Sequence, residues 1–300
     1  MQYQILKFYQ SIQNPVLSFF ANLLSFFGEE VALIVVAIIF LYGIDKKKTF
    51  AFVNSMVLAL IGTNGLKAIF RSPRPFVKHA DLIADRVETA GGYSFPSGHT
   101  TTASSFYISF AKVIGKKSLL IAAFILAILV GLSRNYLLVH WPIDVLVGYI
   151  IGTLFAFIIT PFSLKLYDDK QKFGLFCIIT SIITGLFSLI IAPLMTFNIV
   201  DTLAFSSLAD MCEIATGLYF GFFLEEKFID FKECKNLKGT IINLLGCGAL
   251  IGVIYFIASF IPDKYIRHLF RNTLLGFSAS YLYPLLASKL GILKKNEKNW

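Results

Sequence analysis

Two histidines, a carboxylate and a set of cations stand in this 300-residue chain at spacings that suit attack on phosphorus. His140 lies four residues before Asp144, and Pro142 between them is a good first helical residue, so the carboxylate falls in a first helical turn within reach of the imidazole. A carboxylate in that place holds one tautomer and supports the imidazolium, which is how a histidine becomes a nucleophile. Upstream, Pro96-Ser97-Gly98-His99 reads as a helix start. Its free N–H groups and positive dipole end can receive an anion, the Ser97 hydroxyl adds a contact, and Gly98 lets the anion approach the backbone. Lys67 and Arg71 lie one turn apart near the end of an apolar run that Pro73 and Pro75 stop, with Arg74 just beyond; Arg134 follows Ser133 at the end of another. Taken singly, each has an ordinary explanation: a snorkelling lysine, a plain helix start, a structural His–Asp pair. What argues for chemistry is that all of them fall where apolar runs meet water on one side of the same arrangement.

Those apolar runs are the elements that must position the site. The chain is 56% hydrophobic and only 15% charged, against about 25% charged in a soluble protein. It therefore reads as an integral membrane protein, and a large soluble domain is excluded. Spans are expected at about 30–44, 49–70, 97–114, 118–138, 142–164, 174–193, 203–224, 239–261 and 269–288, which makes nine. The fold class expected is all-α, a polytopic helical bundle. Residues 1–28 are apolar at helical spacing, but Asn14-Pro15 reads as a cap and first turn and Gly28 as a stop, and the second piece between them is too short to span. They read as an interfacial helix rather than a signal peptide, since they have no cluster of N-terminal positive charges and no small-residue cleavage site. Cys177, Cys212, Cys234 and Cys247 show no paired spacing, so no disulfide framework is expected.

The net charge of +9 does not call for a nucleic-acid partner, because the basic residues fall in short loops between spans. One side carries only lysines, beginning with Lys46, Lys47 and Lys48 and ending with Lys289, Lys294, Lys295 and Lys298. The other carries every arginine together with Lys7, Lys67, Lys78 and Lys264. The positive-inside rule makes the lysine side cytoplasmic. Arginine presents a planar fork that matches phosphate oxygens two at a time, so its confinement to the outer side suggests an anionic ligand there.

The three segments, Lys67-x6-Arg74-Pro75, Pro96-Ser97-Gly98-His99 and Ser133-Arg134-x5-His140-x3-Asp144, resemble the signatures of the phosphatidic acid phosphatase type 2 superfamily, with no departure at any signature position. The resemblance covers about a quarter of the chain. It implies phosphoryl transfer without metal or other cofactor, in a core bundle shared with glucose-6-phosphatases and vanadium haloperoxidases. It also implies the roles. Lys67, Arg74 and Arg134 hold the nonbridging phosphate oxygens, and Ser97 and the Gly98 N–H complete the cradle. His140 attacks, Asp144 supports its imidazolium, and His99 protonates the leaving oxygen and then activates water.

Beyond that core, Arg71 is a possible accessory cation. Arg267 and Arg271, one turn apart on the outer side, are expected to help hold a second phosphate or an anionic headgroup. Asp201, Asp210 and Glu213 place costly acids in the seventh candidate span, and the stretch from Phe76 to Ser94 is long enough to serve as a lid. The expected division is an interfacial helix at 1–28, a phosphatase core at 29–170 and a membrane extension of about four spans at 171–300. The expected activity is hydrolysis of a lipid phosphate or diphosphate in a bacterial cell membrane, with the site on the non-cytoplasmic face and membrane lipids as surroundings. The alternatives are a phosphatase of a water-soluble ester and a non-catalytic lipid-binding or transport protein. Nothing in the sequence sets an oligomeric state.

Overall fold

The computed structural model describes residues 1–296, so of the lysines assigned to the cytoplasmic side Lys298 lies outside the described residues. The described residues form thirteen α-helices: α1 (Gln2–Ser11), α2 (Pro15–Phe26), α3 (Glu30–Gly43), α4 (Lys46–Phe70), α5 (Pro75–Lys78), α6 (Gly98–Ile114), α7 (Lys117–Tyr136), α8 (Pro142–Asp168), α9 (Lys170–Thr196), α10 (Thr202–Phe228), α11 (Leu237–Ala258), α12 (Lys264–Phe277) and α13 (Tyr283–Lys289). The all-α expectation gains one minor addition, an antiparallel pairing of β1 (Phe231–Lys232) with β2 (Lys294–Lys295).

Among the described residues six helical segments are long and apolar enough to cross a membrane, seven if α2 and α3, bent by 45° at a short break, count as one. The expected count of nine is not reached, for identifiable reasons. The run at 97–114 becomes α6, only 17 residues long and lined by buried hydroxyl side chains from Thr100 to Ser109. The run at 269–288 is divided among the 14-residue α12, a π-helical turn and α13. The run at 30–44 is the 14-residue α3, which reaches spanning length only together with α2. Asn14 caps α2 as its sequence suggests, its side chain accepting from Leu17 N at 3.0 Å.

The chain divides into two compact units. The first comprises Met1–Ile34, Ala51–Ser163 and Leu203–Leu208; the second comprises Val35–Phe50, Leu164–Thr202 and the chain from Ala209 onward. In the first unit α8 approaches α6 so closely that a Cβ at Gly152 would lie 2.0 Å from Ser104 Oγ. Without a hydrophobic drive between helices in lipid, such small-residue contact is what packs them. The contact matters chemically because it brings the start of α6 against the start of α8, where Ser97 N donates to the Asp144 carbonyl at 2.9 Å.

In the second unit two acids of the seventh run, Asp210 and Glu213, share partners on α12, although Glu213 Oε1 is buried without a partner among the described residues. Asp210 accepts from His268 Nδ1 and from Asn272 Nδ2, both at 2.8 Å, and Asn272 Nδ2 also donates to Glu213 at 2.8 Å. Lys46, assigned from sequence to a hydrated loop, is buried and ion-paired with Glu225 and Asp230 at 3.0 Å each. A buried cation at a helix start is tolerable only with such partners.

Candidate active site

The site lies in the first unit, where the ends of α4 and α7 meet the beginnings of α6 and α8. Three buried cations come from two distant stretches of chain. Lys67 is 6% exposed near the end of α4, Arg74 is 4% exposed at the start of α5, and Arg134 is 0% exposed in the last turn of α7. Their charges bear on one another. Among the described residues none of the three has a carboxylate within ion-pair distance, and Asp144 is the carboxylate whose charge reaches Lys67 and Arg74. Burying like charges together without partners is costly, so the arrangement stores an excess of positive charge that an anion would relieve.

Arg74 is held by the loop on one side and the α7–α8 connection on the other. Its Nε donates to Gly92 O at 3.0 Å, its Nη2 to Gly91 O at 2.7 Å and its Nη1 to Val139 O at 2.8 Å. Nη1 also stands 3.3 Å from His140 Nε2. A guanidinium can only donate, so this contact makes Nε2 the acceptor and places the imidazole proton on Nδ1. Nδ1 faces Asp144 Oδ2 at 3.3 Å. The lone pair of Nε2 therefore points toward the Arg74 guanidinium.

Asp144 is fixed in turn. Its Oδ2 accepts from Trp141 N at 2.8 Å and from the Ser94 hydroxyl, which itself lies 3.4 Å from His140 Nδ1. Burial, followed by the positive charges of Arg74, Lys67 and Arg134, pulls the His140 imidazole well below its usual pKa. The neutral imidazole, with Nε2 unprotonated, is thus favoured.

Residues 48–168 match the PAP2 superfamily, and residues 209–296 match its phosphatase transmembrane extension. A putative undecaprenyl-diphosphatase of Escherichia coli is 31% identical over 47% of this chain and 72% of its own length. This chain belongs to the PAP2 superfamily. An undecaprenyl-diphosphatase of Sulfolobus acidocaldarius is 31% identical over 45% of this chain and 65% of its own length. A phosphatidylglycerophosphatase B of Bacillus subtilis is 38% identical over 27% and 44%. The chain thus spans less than two thirds of the length of these last two relatives. The crystal structure of a PAP2-type phosphatidylglycerolphosphate phosphatase from Bacillus subtilis is 27% identical, with a TM-score of 0.47, over 55% of this chain and 85% of that one.

The remaining expected site residues of this PAP2 chain divide by what holds them. His99, in the first turn of α6, has its Nε2 buried and, among the described residues, without a partner, and burial, followed by the charges of Arg134, Lys67 and Arg74, holds its imidazole well below the usual pKa. Ser97 is used locally: its hydroxyl oxygen accepts from Thr100 N at 3.4 Å and Thr100 Oγ1 at 2.9 Å, so it caps the helix. A Cβ added at Gly98 would lie 3.7 Å from Lys67 Nζ, so a side chain there would stand between the lysine and the helix end. Arg71 turns outward in a left-handed conformation (φ 47°), with Nε on Ala68 O at 3.0 Å. Arg267 and Arg271 belong to the second unit. Arg267 donates to Ile261 O and Pro262 O, both at 2.9 Å, while Arg271 lies over the Tyr255 ring and donates to Asn272 at 3.1 Å.

Sequence reasoning missed Ser94, Ser25 and Thr89. Arg134 Nη1 donates to Ser25 Oγ at 2.5 Å, and both of its terminal nitrogens reach Thr89 Oγ1 at 3.3 Å. No local pattern marks these residues, since each acquires its place only when distant segments meet. The nearest signal was Ser94's position two residues before Pro96.

Proposed function

We propose that this chain is a membrane phosphatase that hydrolyses a lipid phosphate or diphosphate through a phosphohistidine intermediate. One observation carries the reading: three buried cations without ion-paired carboxylates lie in one cluster with a buried histidine whose Nε2 lone pair is turned to one of them, Arg74. Phosphate oxygens would take the places these cations leave open, with Lys67, Arg74 and Arg134 neutralising charge as the transition state forms. His140 Nε2 attacks phosphorus as the bond to the leaving oxygen breaks, His99 gives that oxygen its proton, and Asp144 supports the imidazolium. Water, deprotonated by His99, then cleaves the phosphorus–nitrogen bond and releases phosphate.

A lipid substrate is supported by the relatives' names, which include undecaprenyl-diphosphatase, phosphatidylglycerophosphatase B and lipid A 4'-phosphatase. It is also supported by an apolar cavity of about 410 Å³ lined by Ile128, Leu132, Val145 and Leu146 together with Asn135, whose side chain donates to the His140 carbonyl. The lysine-only loops favour a site on the non-cytoplasmic face. A panel of polyprenyl diphosphate, phosphatidate, phosphatidylglycerophosphate and a sugar phosphate, run on purified protein in detergent and EDTA, tests the reading. Lipid phosphates should be turned over and the sugar phosphate should not, and orthovanadate should inhibit. Activity lost in EDTA and restored by magnesium or zinc would count against the scheme.

The protonation states give a pH prediction. His140 must be neutral and His99 protonated, so kcat/KM should be bell-shaped. Because burial first, and then the neighbouring cations, hold both His140 and His99 below the ordinary histidine value, both limbs for the free enzyme should fall below about pH 6.5, the unperturbed histidine value. A profile measured from pH 4.5 to 9.5 that rises monotonically would contradict the acid role of His99.

A further inference from the structure

The family match begins at residue 48, yet the cluster reaches outside it. Ser25, in the last turn of α2, is 0% exposed and accepts from Arg134 Nη1 at 2.5 Å. Three residues on, a Cβ at Gly28 would lie 3.1 Å from both His99 Cβ and the His99 carbonyl and 2.8 Å from Val130 Cγ1. The end of α2 therefore rests against His99 as well as against Arg134. It is tied there from two directions: Tyr107 Oη donates to Phe27 O at 2.9 Å, and Arg86 donates to Asn22 O at 2.8 Å while pairing with Glu29.

We propose that the end of α2 is a working wall of the phosphate site, with Ser25 as the positioning residue that aims Arg134. The inference rests on the phosphatase reading above. Arg134 must keep its charge for the substrate while its long side chain is held in one place. A carboxylate would hold it but would also cancel the charge and occupy the fork. A hydroxyl fixes one N–H with a neutral acceptor and leaves the charge available. Thr89 adds a second neutral acceptor, and Arg134 Nε has no partner among the described residues. Ser25 thus spares Arg134 the entropy of being ordered by the phosphate itself.

The test is calorimetric titration of inorganic phosphate into the full-length detergent-purified protein, as wild type, Ser25→Ala, Ser25→Cys, Ser25→Thr, Arg134→Ala and the double variant Ser25→Ala/Arg134→Ala. Loss of one hydrogen bond to a charged group should weaken phosphate binding about tenfold in Ser25→Ala. Ser25→Cys, nearly the same size but a weak acceptor, should lose a similar factor and carries the test if the alanine variant fails to fold. Ser25→Thr should stay within about twofold of wild type. In the Arg134→Ala background, Ser25→Ala should add less than about twofold, because the serine acts only through the arginine. An unchanged affinity in both Ser25→Ala and Ser25→Cys, or an equal tenfold loss with and without Arg134, would overturn the positioning role while leaving the phosphatase reading intact. Wild-type protein that binds neither phosphate nor orthovanadate would overturn that reading and this inference with it.

Discussion

Replacement of His140 by alanine should lower kcat for phosphate release by about 10⁴-fold or more while leaving orthovanadate binding within about tenfold of wild type. The first figure follows from the role of a covalent nucleophile, whose removal leaves only the residual catalysis of the binding groups. The second follows from the geometry, since the cations that would hold the oxyanion do not depend on the imidazole. Arg74 is fastened to Gly91, Gly92 and Val139 through backbone carbonyls, and Arg134 to Ser25 and Thr89. The variant should therefore remain an anion receptor that has lost its reaction. Quenched-flow labelling with a radioactive phosphate substrate adds an independent readout, because an acid-labile phosphoenzyme should form in wild type and not in the variant. Phosphate release at wild-type rate from His140→Ala would reject the mechanism and favour a protein that merely binds lipid phosphates.

How far this site could be read before folding depends on the scale at which each residue acts. The pairing of His140 with Asp144 is local, set by one helical turn after Pro142, and it appears at 3.3 Å as the spacing suggests. The stop after Lys67 and the cap at Ser97 are likewise local, governed by proline and serine chemistry. By contrast, the acceptors that aim the cations are backbone carbonyls of a loop and hydroxyls of α2, and neither has a periodic signature. The span count failed for a related reason. Hydropathy identifies segments that face lipid, whereas α6 is surrounded by other helices and carries Thr100, Thr101, Ser104 and Ser105 in full burial. The N-terminal run could be seen to be apolar and capped at Asn14, but not that α2 would bend into α3 and deliver Ser25 to Arg134. The acids at 210 and 213 could be placed on one helical face, but their partners, His268 and Asn272, lie more than fifty residues away in sequence.

Asp144→Asn should separate binding from chemistry with opposite signs. In the wild type, Asp144 Oδ2 accepts from Trp141 N, the Ser94 hydroxyl and His140 Nδ1, and Oδ1 is buried without a partner among the described residues. An asparagine with its oxygen in the Oδ2 position keeps the three contacts but loses the charge that supports the imidazolium. Flipped, its amide faces Nδ1 as a donor, so Nδ1 must become an acceptor and the proton moves to Nε2, removing the attacking lone pair. Either way kcat should fall by about 10³- to 10⁴-fold, the scale on which loss of an orienting carboxylate acts elsewhere. Anion affinity should move the other way. Asp144 is the negative charge felt by Lys67 and Arg74, and removing it deepens the positive excess of the pocket, so orthovanadate should bind as tightly as in wild type or more tightly. A structural lesion would weaken both quantities together. Steady-state kinetics and vanadate inhibition measured on the same preparation decide the matter, and a kcat within about tenfold of wild type would remove Asp144 from the mechanism.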